Sequence, residues 1–436
     1  MSALPRGWAV VEIGNIADIV TGKTPPKSEA SFYDGGDVPF FKPGDLTVGG
    51  VITTAEDRVN ERALGVAPEL PIGTVLVSCI GILGKSAIVG RTGTCNQQIN
   101  AILPSAAATP EFVYLWSRTI KDWLEQNSSA TTVSIINKGR FSAAPVPLPP
   151  LAEQKRIVAK LDTLNAKSAR ARTELARIET LVSRYKQAVL SKAFSGDGLG
   201  VKVQDKLPLS EVIALRTGPF GSALHKSDYI VGGVPLVNPM HIVRGKIEVD
   251  LKTSVATAKA EQLQEFRLKA GDVVLARRGE MGRAAVVGEA EDGYLCGTGS
   301  MIVRPSPMLS PIYLQRYLSS PPVVMALESA AVGTTMVNLN QSILLSQTIP
   351  LPSIEEQHEI VRRIETAFAK IDRLAKEAKR ALELVGLLDE AILAKAFRGE
   401  LVPQDENDEP AELLLARTRA ERQAPPKGKR GRRKES

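Results

Sequence analysis

Residues 147–196 recur as residues 350–399 at a constant offset of 203, so that fifty positions align without a gap and twenty-one are identical. The ends carry the clearest matches. Pro147-Leu148-Pro149 and Glu153-Gln154 answer Pro350-Leu351-Pro352 and Glu356-Gln357, and Lys192-Ala193-Phe194 answers Lys395-Ala396-Phe397. A chain written twice folds with internal pseudosymmetry, which makes a two-fold ligand such as duplex DNA the first to consider.

Inside the repeat, Ile157, Leu161, Leu164, Ser168, Ala171, Leu175, Ile178, Val182, Tyr185 and Val189 are spaced alternately by four and three, the seam of a coiled coil. The second copy supplies Ile360, Ile364, Ala367, Ile371, Leu374, Ala378, Ala381, Val385, Leu388 and Ile392. Proline is absent from both segments and Gly386 is their only glycine; Pro149-Pro150 and Pro352 precede them, and Gly196 and Gly399 follow. Each copy is therefore expected to be one helix of roughly 40 residues, about 60 Å long. One apolar stripe cannot bury itself, and the matching stripe is in the same chain. Because the first helix leads into the second globular segment, from which the second helix starts, the short connection predicts antiparallel pairing.

The repeat continues weakly outside the helices. Gly22, Val38-Pro39 and Gly49 match Gly218, Val234-Pro235 and Gly245. Gly73-Thr74-Val75-Leu76 parallels Gly271-Asp272-Val273-Val274, and Gly81-Ile82-Leu83-Gly84-Lys85 parallels Gly279-Glu280-Met281-Gly282-Arg283. Cys95 and Pro104 meet Cys296 and Pro305, and Thr131-Thr132 meets Thr334-Thr335. Short β-branched runs at 74–77, 87–89, 273–276 and 284–287 read as strands, and 111–124 and 311–318 as short helices. The fold class expected is α/β (mixed α+β), with two pseudo-symmetric globular domains separated by two long antiparallel coiled-coil helices. The divisions are a first domain over residues 1–146, a helix segment over 147–198, a second domain over 199–349, a helix segment over 350–400 and a C-terminal extension over 401–436.

A net charge of +7 invites a nucleic-acid reading, but residues 417–436 hold nine Lys/Arg and two Glu, so the other 416 residues balance at 46 of each sign. A DNA-binding body would need a locally segregated basic face. The tail, with Lys427-Gly428-Lys429-Arg430 and Arg432-Arg433-Lys434, reads as a disordered, solubilising or weakly phosphate-binding extension. No apolar run is long enough to span a membrane, and no signal peptide precedes the first domain, so a cytoplasmic protein is expected. Cys79, Cys95 and Cys296 lack the spacing of a disulfide framework or a zinc site.

Catalytic patterns fail. Gly22-Lys23-Thr24 would need glycine where Ala17 stands, and Gly84-Lys85-Ser86 where Cys79 stands, to form a phosphate loop. Neither a dinucleotide nor a methyl-donor fingerprint is present. The three histidines, His225, His241 and His358, show no metal-ligand spacing, and His358 is expected on a helix surface. Any catalysis is therefore assigned to partners.

The doubled Pro-Leu-Pro, Glu-Gln and Lys-Ala-Phe-x-Gly pattern, with Val20-Thr21-Gly22-Lys23-Thr24-Pro25 and the strand-and-turn over 73–84, resembles the specificity (S) subunit of type I restriction-modification enzymes over roughly residues 5–423. The resemblance implies two target-recognition domains that read a bipartite, asymmetric site on double-stranded DNA. It also implies modification (methyltransferase) subunits, two in number, docked on the helices, and restriction (endonuclease/translocase) subunits joining them. S-adenosylmethionine, ATP and magnesium would then belong to those partners, with no cofactor in this chain. Thr217-Gly218-Pro219-Phe220 departs from the Thr-Gly-x-Thr-Pro pattern, so the first loop of the second domain is not assigned by matching.

Glycine turns bearing cations nominate phosphate contacts at Lys23, Lys42 and Lys85 in the first domain and at Lys226, Arg277, Arg278 and Arg283 in the second. Arg277 and Arg278 also suit guanine edges, and Gln97, Gln98 and Asn238 suit adenine. For any one of them the plain alternative is a solvated or turn-stabilising side chain. Two other classes of function compete: a coiled-coil scaffold whose lobes bind proteins, which the neutral body allows, and a self-sufficient modifying enzyme, which the missing methyl-donor motif disfavours. A rod of about 60 Å would also act as a ruler between half-sites.

Overall fold

The computed structural model describes residues 4–129, 133–195, 200, 206–219, 223–330 and 339–423. Thr131-Thr132 and Thr334-Thr335, the helix stop at Gly196, Phe220 of the divergent loop and the basic tail from residue 424 lie outside the described residues.

The repeat forms two long helices, Leu151–Ala193 and Ile354–Phe397, of 43 and 44 residues. The second begins in a capping box: the Ser353 N–H donates to the Glu356 carboxylate at 2.9 Å, and the Ser353 hydroxyl accepts from the Glu356 N–H at 3.3 Å. It ends at Gly399, whose φ of 75° no side chain favours; there the Glu400 N–H returns to the Lys395 carbonyl. Pro147-Leu148 and Pro350, which fall inside the expected helix segments, are strand. Each closes a short antiparallel pair, Pro145–Leu148 with Ala9–Glu12 and Thr348–Pro350 with Lys206–Pro208. Two-stranded ribbons have only edges, so proline is tolerated there.

Contacts divide the chain into two compact units, Met1–Thr173 with Leu382–Ser436, and Glu174–Ala381. Each unit contains one globular lobe and stretches of both long helices. In the first, Ile157 and Leu161 near the start of the first helix share a core with Ala396 and Phe397 at the end of the second, and Arg172 pairs with Asp389 at 2.6 Å. In the second, Leu190 and Ala193 at the end of the first helix share a core with Ile360 and Ile364 at the start of the second, and Lys186 pairs with Asp372 at 2.5 Å. Within each unit, early residues of one helix thus meet late residues of the other. The pairing is antiparallel, as the connectivity predicted.

The seam keeps its register but not its full burial. Ile157, Leu161, Ile360 and Ile364 are buried, while Leu164, Leu175, Ile178, Val182, Ile371 and Val385 are half-buried. Leu374 and Leu388 depart from the expectation, at 60% and 53% exposed, as does Tyr185 at 59%. Heptad spacing fixes which face is apolar, and a pair of helices covers less of that face than a larger bundle would.

In the first lobe a five-stranded sheet runs Ile19–Thr21, Ile99–Ile102, Val75–Ser78, Ser86–Val89, Val51–Ile52. A three-stranded sheet, Asp57–Val59, Val38–Phe41, Thr94–Cys95, lies in the same lobe. The second lobe has the order Ile213–Thr217, Ser300–Pro305, Val273–Ala276, Ala284–Val286, and a four-stranded sheet Tyr229–Ile230, Ser254–Val255, Val234–Val237, Leu295–Cys296. Equivalent pairs recur in equal register: Val75 faces Ile102 as Val273 faces Val303, and Phe41 faces Cys95 in parallel as Val237 faces Cys296. Gly22 and Gly218 are matched because a Cβ there would lie 2.1 Å from the carbonyl oxygen of Asn96 or Gly297. The expected helix over 311–318 is found as Pro311–Leu318, whereas that over 111–124 is two, Pro110–Ser117 and Lys121–Gln126. Thr119 breaks it by turning both its N–H and its hydroxyl onto the Trp116 carbonyl, each at 2.8 Å.

Candidate nucleic-acid interface

The joints between lobes and helices are built by the residues that the repeat keeps. Gln154 is buried; its amide donates to the Ala107 and Pro149 carbonyls at 3.0 and 3.1 Å and accepts from the Thr109 N–H at 3.1 Å. Gln357 repeats all three bonds, to Met308, Pro352 and Ser310, at 2.9, 3.0 and 2.8 Å. Each helix start is thereby locked to the loop preceding the short helix of its lobe. The far ends are locked by the repeated phenylalanine: Phe397 packs on Phe112 with centroids 5.2 Å apart, and Phe194 on Tyr313 at the same distance. The neighbouring glutamates have diverged. Glu153 is buried and accepts from the Trp8 indole at 3.0 Å and from Gln404 at 2.9 Å, whereas Glu356 caps its helix in the open.

With the lobes fixed in this way, the nominated polar residues can be placed. In the first lobe Lys42, Lys85 and Gln98 line one open cleft of about 400 Å³ with Asp45, Glu56, Ile80 and Ile82. Gln97 is exposed and accepts from the Thr24 hydroxyl at 2.7 Å, which ties it to the loop carrying Lys23, an exposed side chain. Lys42 forms an ion pair with Asp57, so its charge is already partly offset. Asp45 spends its carboxylate on the backbone N–H groups of Lys42 and Glu56, at 2.7 and 3.0 Å. Lys85 has a neutral partner, donating to the Thr47 hydroxyl at 3.0 Å.

In the second lobe Arg283 donates to the Pro239 carbonyl at 3.3 Å and pairs with Glu280, which brings it beside Asn238. The Asn238 side chain lies over Gly297, where a Cβ would sit 2.1 Å from its oxygen. Arg278 is exposed. Lys226 belongs elsewhere, in the turn Lys226–Asp228, whose aspartate pairs with Lys259 at 3.3 Å. The backbone N–H of His225 and the ammonium of Lys259 hold that carboxyl below its ordinary range.

Arg277, nominated as an outward contact, is turned inward. It is 6% exposed, and its Nε donates to the Leu339 carbonyl at 3.1 Å. The physical reason is its position: Arg277 occupies the place of buried Cys79, since Cys79 and Arg277 donate their N–H groups to Gln98 and Gly299 and accept from Ile136 and Leu339, all at 2.8–2.9 Å. Burial, followed by the adjacent Arg278, lowers its pKa from the usual guanidinium value. His241 is likewise inward, accepting the Asn238 N–H on Nδ1 at 3.2 Å. No group of three or more His, Cys, Asp or Glu side chains able to hold a metal occurs among the described residues, and no described helix is long and apolar enough to cross a membrane. Two exposed residues outside the nominated set, Ile82 at 67% and Met240 at 70%, sit beside the nominated cations. The signal for Ile82 was present, as the variable position inside a doubled Gly-x-x-Gly-Lys/Arg turn.

The family described as the type I restriction modification DNA specificity domain matches the chain twice, at residues 5–180 and 205–384. The EcoBI specificity subunit of Escherichia coli is 28% identical over 96% of this chain and 93% of its own length. The EcoKI specificity subunit of E. coli strain K12 is 26% identical over 99% of each. Among solved structures, the HsdS subunit from Thermoanaerobacter tengcongensis superposes with a TM-score of 0.58 at 22% identity, covering 92% of this chain and 99% of that one. A chain from a structure addressing complex assembly and conformational transition of the type I R-M system gives 0.65 at 22% identity, covering 92% and 100%. The doubled frame, its repeated joints and these matches together place the chain in the type I restriction-modification DNA specificity family.

Proposed function

We propose that the chain is the DNA sequence-specificity subunit of a type I restriction-modification complex, reading a bipartite, asymmetric duplex target with one half-site per lobe. The observation that carries this reading is that the two lobes share one frame while their outward polar groups differ: Lys42, Lys85 and Gln98 line a cleft in the first, and the matching positions are Asn238, Arg283 and Gly299 in the second. Equal frames with unequal outward groups suit two different half-sites. The reading assigns no catalytic step to this chain; S-adenosylmethionine, ATP and magnesium belong to its partner subunits, and the complex works in the cytoplasm.

The helices supply the docking surface for the modification subunits, two per chain. Leu175, Ile178, Leu181, Val182, Tyr185, Ile371 and Leu374 line an open apolar groove, and Leu374 and Tyr185 are more than half exposed. A seam left open by two helices is satisfied by further helices from a partner. The same pair sets the spacer between half-sites. Adding or removing one heptad in both helices will change the spacer by the advance of about 10 Å that seven residues represent, leaving both half-sites unaltered.

Selection from a random duplex pool by the full chain with its modification subunit tests the reading. A single bipartite sequence will be enriched. No enriched sequence would leave the protein-binding scaffold as the better account.

A further inference from the structure

Both lobes carry the same hairpin. In the first it joins Val75–Ser78 to Ser86–Val89, and in the second Val273–Ala276 to Ala284–Val286. The last pair before each turn is equivalent: Ser78 N–H to the Lys85 carbonyl at 2.8 Å, and Ala276 N–H to the Arg283 carbonyl at 2.9 Å. Six residues form each tip, Cys79-Ile80-Gly81-Ile82-Leu83-Gly84 and Arg277-Arg278-Gly279-Glu280-Met281-Gly282.

Four of the six positions are committed to the frame. The third and sixth are glycines with φ of 79° and 81° in the first lobe and 81° and 73° in the second. The first is pinned inward by the Cys79 and Arg277 backbone bonds described above. The fifth is buried in the main core of its lobe, Leu83 at 5% and Met281 at 4% exposed. The second and fourth positions remain, and there the chemistry inverts. The first lobe presents Ile80, which packs partly on the main core and lines the cleft, and Ile82, 67% exposed; the second presents Arg278, exposed, and Glu280, with 71% of its side chain exposed.

A carboxylate at an exposed tip repels phosphate, so Glu280 does not suit backbone contact. A base edge with an amino donor does suit it, and a two-stranded ribbon fits the major groove, which is about 12 Å wide. The pair Arg278 and Glu280, one glycine apart, matches the two halves of one G·C pair: a guanidinium for guanine O6 and N7 and a carboxylate for cytosine N4. Arg283, paired with Glu280, offsets the repulsion between that carboxylate and the surrounding phosphates. Ile82 offers the opposite chemistry beside Lys85 and Gln98. An apolar tip flanked by a cation and an amide suits the thymine 5-methyl, with the polar groups left for neighbouring edges or phosphate.

Resting on the DNA-reading function above, we propose that this hairpin tip is the base-reading element of each lobe. Its second and fourth residues set one base pair of each half-site: A·T through Ile80 and Ile82 in the first lobe, G·C through Arg278 and Glu280 in the second. The flanking cations Lys85 and Arg283 hold the duplex in place without choosing its sequence.

The test exchanges the tips in the full-length chain, bound to its modification subunit and presented with a random duplex pool. Ile80→Arg with Ile82→Glu will convert one A·T pair of one half-site to G·C, a change in preference of about tenfold or more. Arg278→Ile with Glu280→Ile will make the reverse change in the other half-site. Spacer and remaining bases stay fixed in both. An exchanged chain that selects the parental sequence overturns the proposal. If either exchange abolishes binding, Ile82→Ala and Glu280→Ala decide: relaxed discrimination at one pair supports it, and unchanged discrimination overturns it. A parental chain that enriches no bipartite sequence would instead refute the DNA-reading function itself.

Discussion

The joint where each helix begins and the tip where each lobe faces outward were copied in the same duplication, yet they have fared differently. Gln154 and Gln357 make the same three hydrogen bonds, and Phe397 on Phe112 repeats as Phe194 on Tyr313. At the tips the turn glycines and the buried fifth residue are kept, while Ile82 has become Glu280. Groups that satisfy buried backbone cannot change without leaving unpaired donors and acceptors, whereas an outward side chain on a rigid turn is free to diverge. The contrast separates holding from reading.

Removing the shared joint has the largest expected effect. Gln154→Ala and Gln357→Ala each strand two carbonyls and an N–H, the carbonyls buried at Gln154 and part-buried at Gln357, and each will cost about 3 kcal/mol. The three tryptophans all lie in the first lobe, so urea unfolding followed by fluorescence will report the Gln154 variant, and circular dichroism will report both. A loss at one joint and none at the other would show that the joints are not equivalent. Next, Gly22→Ala and Gly218→Ala place a Cβ against a carbonyl oxygen and will each cost about 3 kcal/mol, measured the same way.

The diverged glutamates give a smaller and asymmetric effect. Glu153→Ala leaves the Trp8 indole without its acceptor in a buried site and will cost about 2 kcal/mol, against about 1 kcal/mol or less for the exposed cap Glu356→Ala. Equal costs would erase the distinction between the two helix starts.

The smallest effect concerns the cysteines, which belong to the holding part. Burial pushes Cys79 up to about 11 and Cys95 up to about 12, and raises Cys296 as well. A thiol whose folded pKa is raised favours the native state fully below its unfolded value, near 9 for these thiols, and that contribution is lost as pH rises towards 11–12. Native protein at pH 8 will therefore react with a maleimide at least about tenfold more slowly than denatured protein, as mass spectrometry would show.

Much of this frame was legible in the sequence because it repeats. The two long helices, their antiparallel pairing and their heptad register follow from spacing and connectivity alone. What spacing cannot convey is how many helices share a seam, so Leu374 and Leu388 read as buried and stand exposed. Nor does invariance name a partner: Glu-Gln was visible as a match, but Gln154 bonds to Ala107 and Thr109, some 45 residues away. Arg277 read as a base contact because a guanidinium at a glycine turn looks available. Its equivalence to buried Cys79 shows why it turns inward. Lys42, Lys85 and Gln98 share one cleft, which nothing in their spacing indicates, while Lys226 lies in a separate turn.

The most direct measurement makes the lobes identical. A chain in which residues 206–349 are replaced by a second copy of residues 9–146, assembled with its modification subunit, is mapped by the DNA sites it methylates. A symmetric bipartite target built from two copies of the first half-site at the original spacing is expected. An asymmetric target unchanged from that of the parent would contradict it.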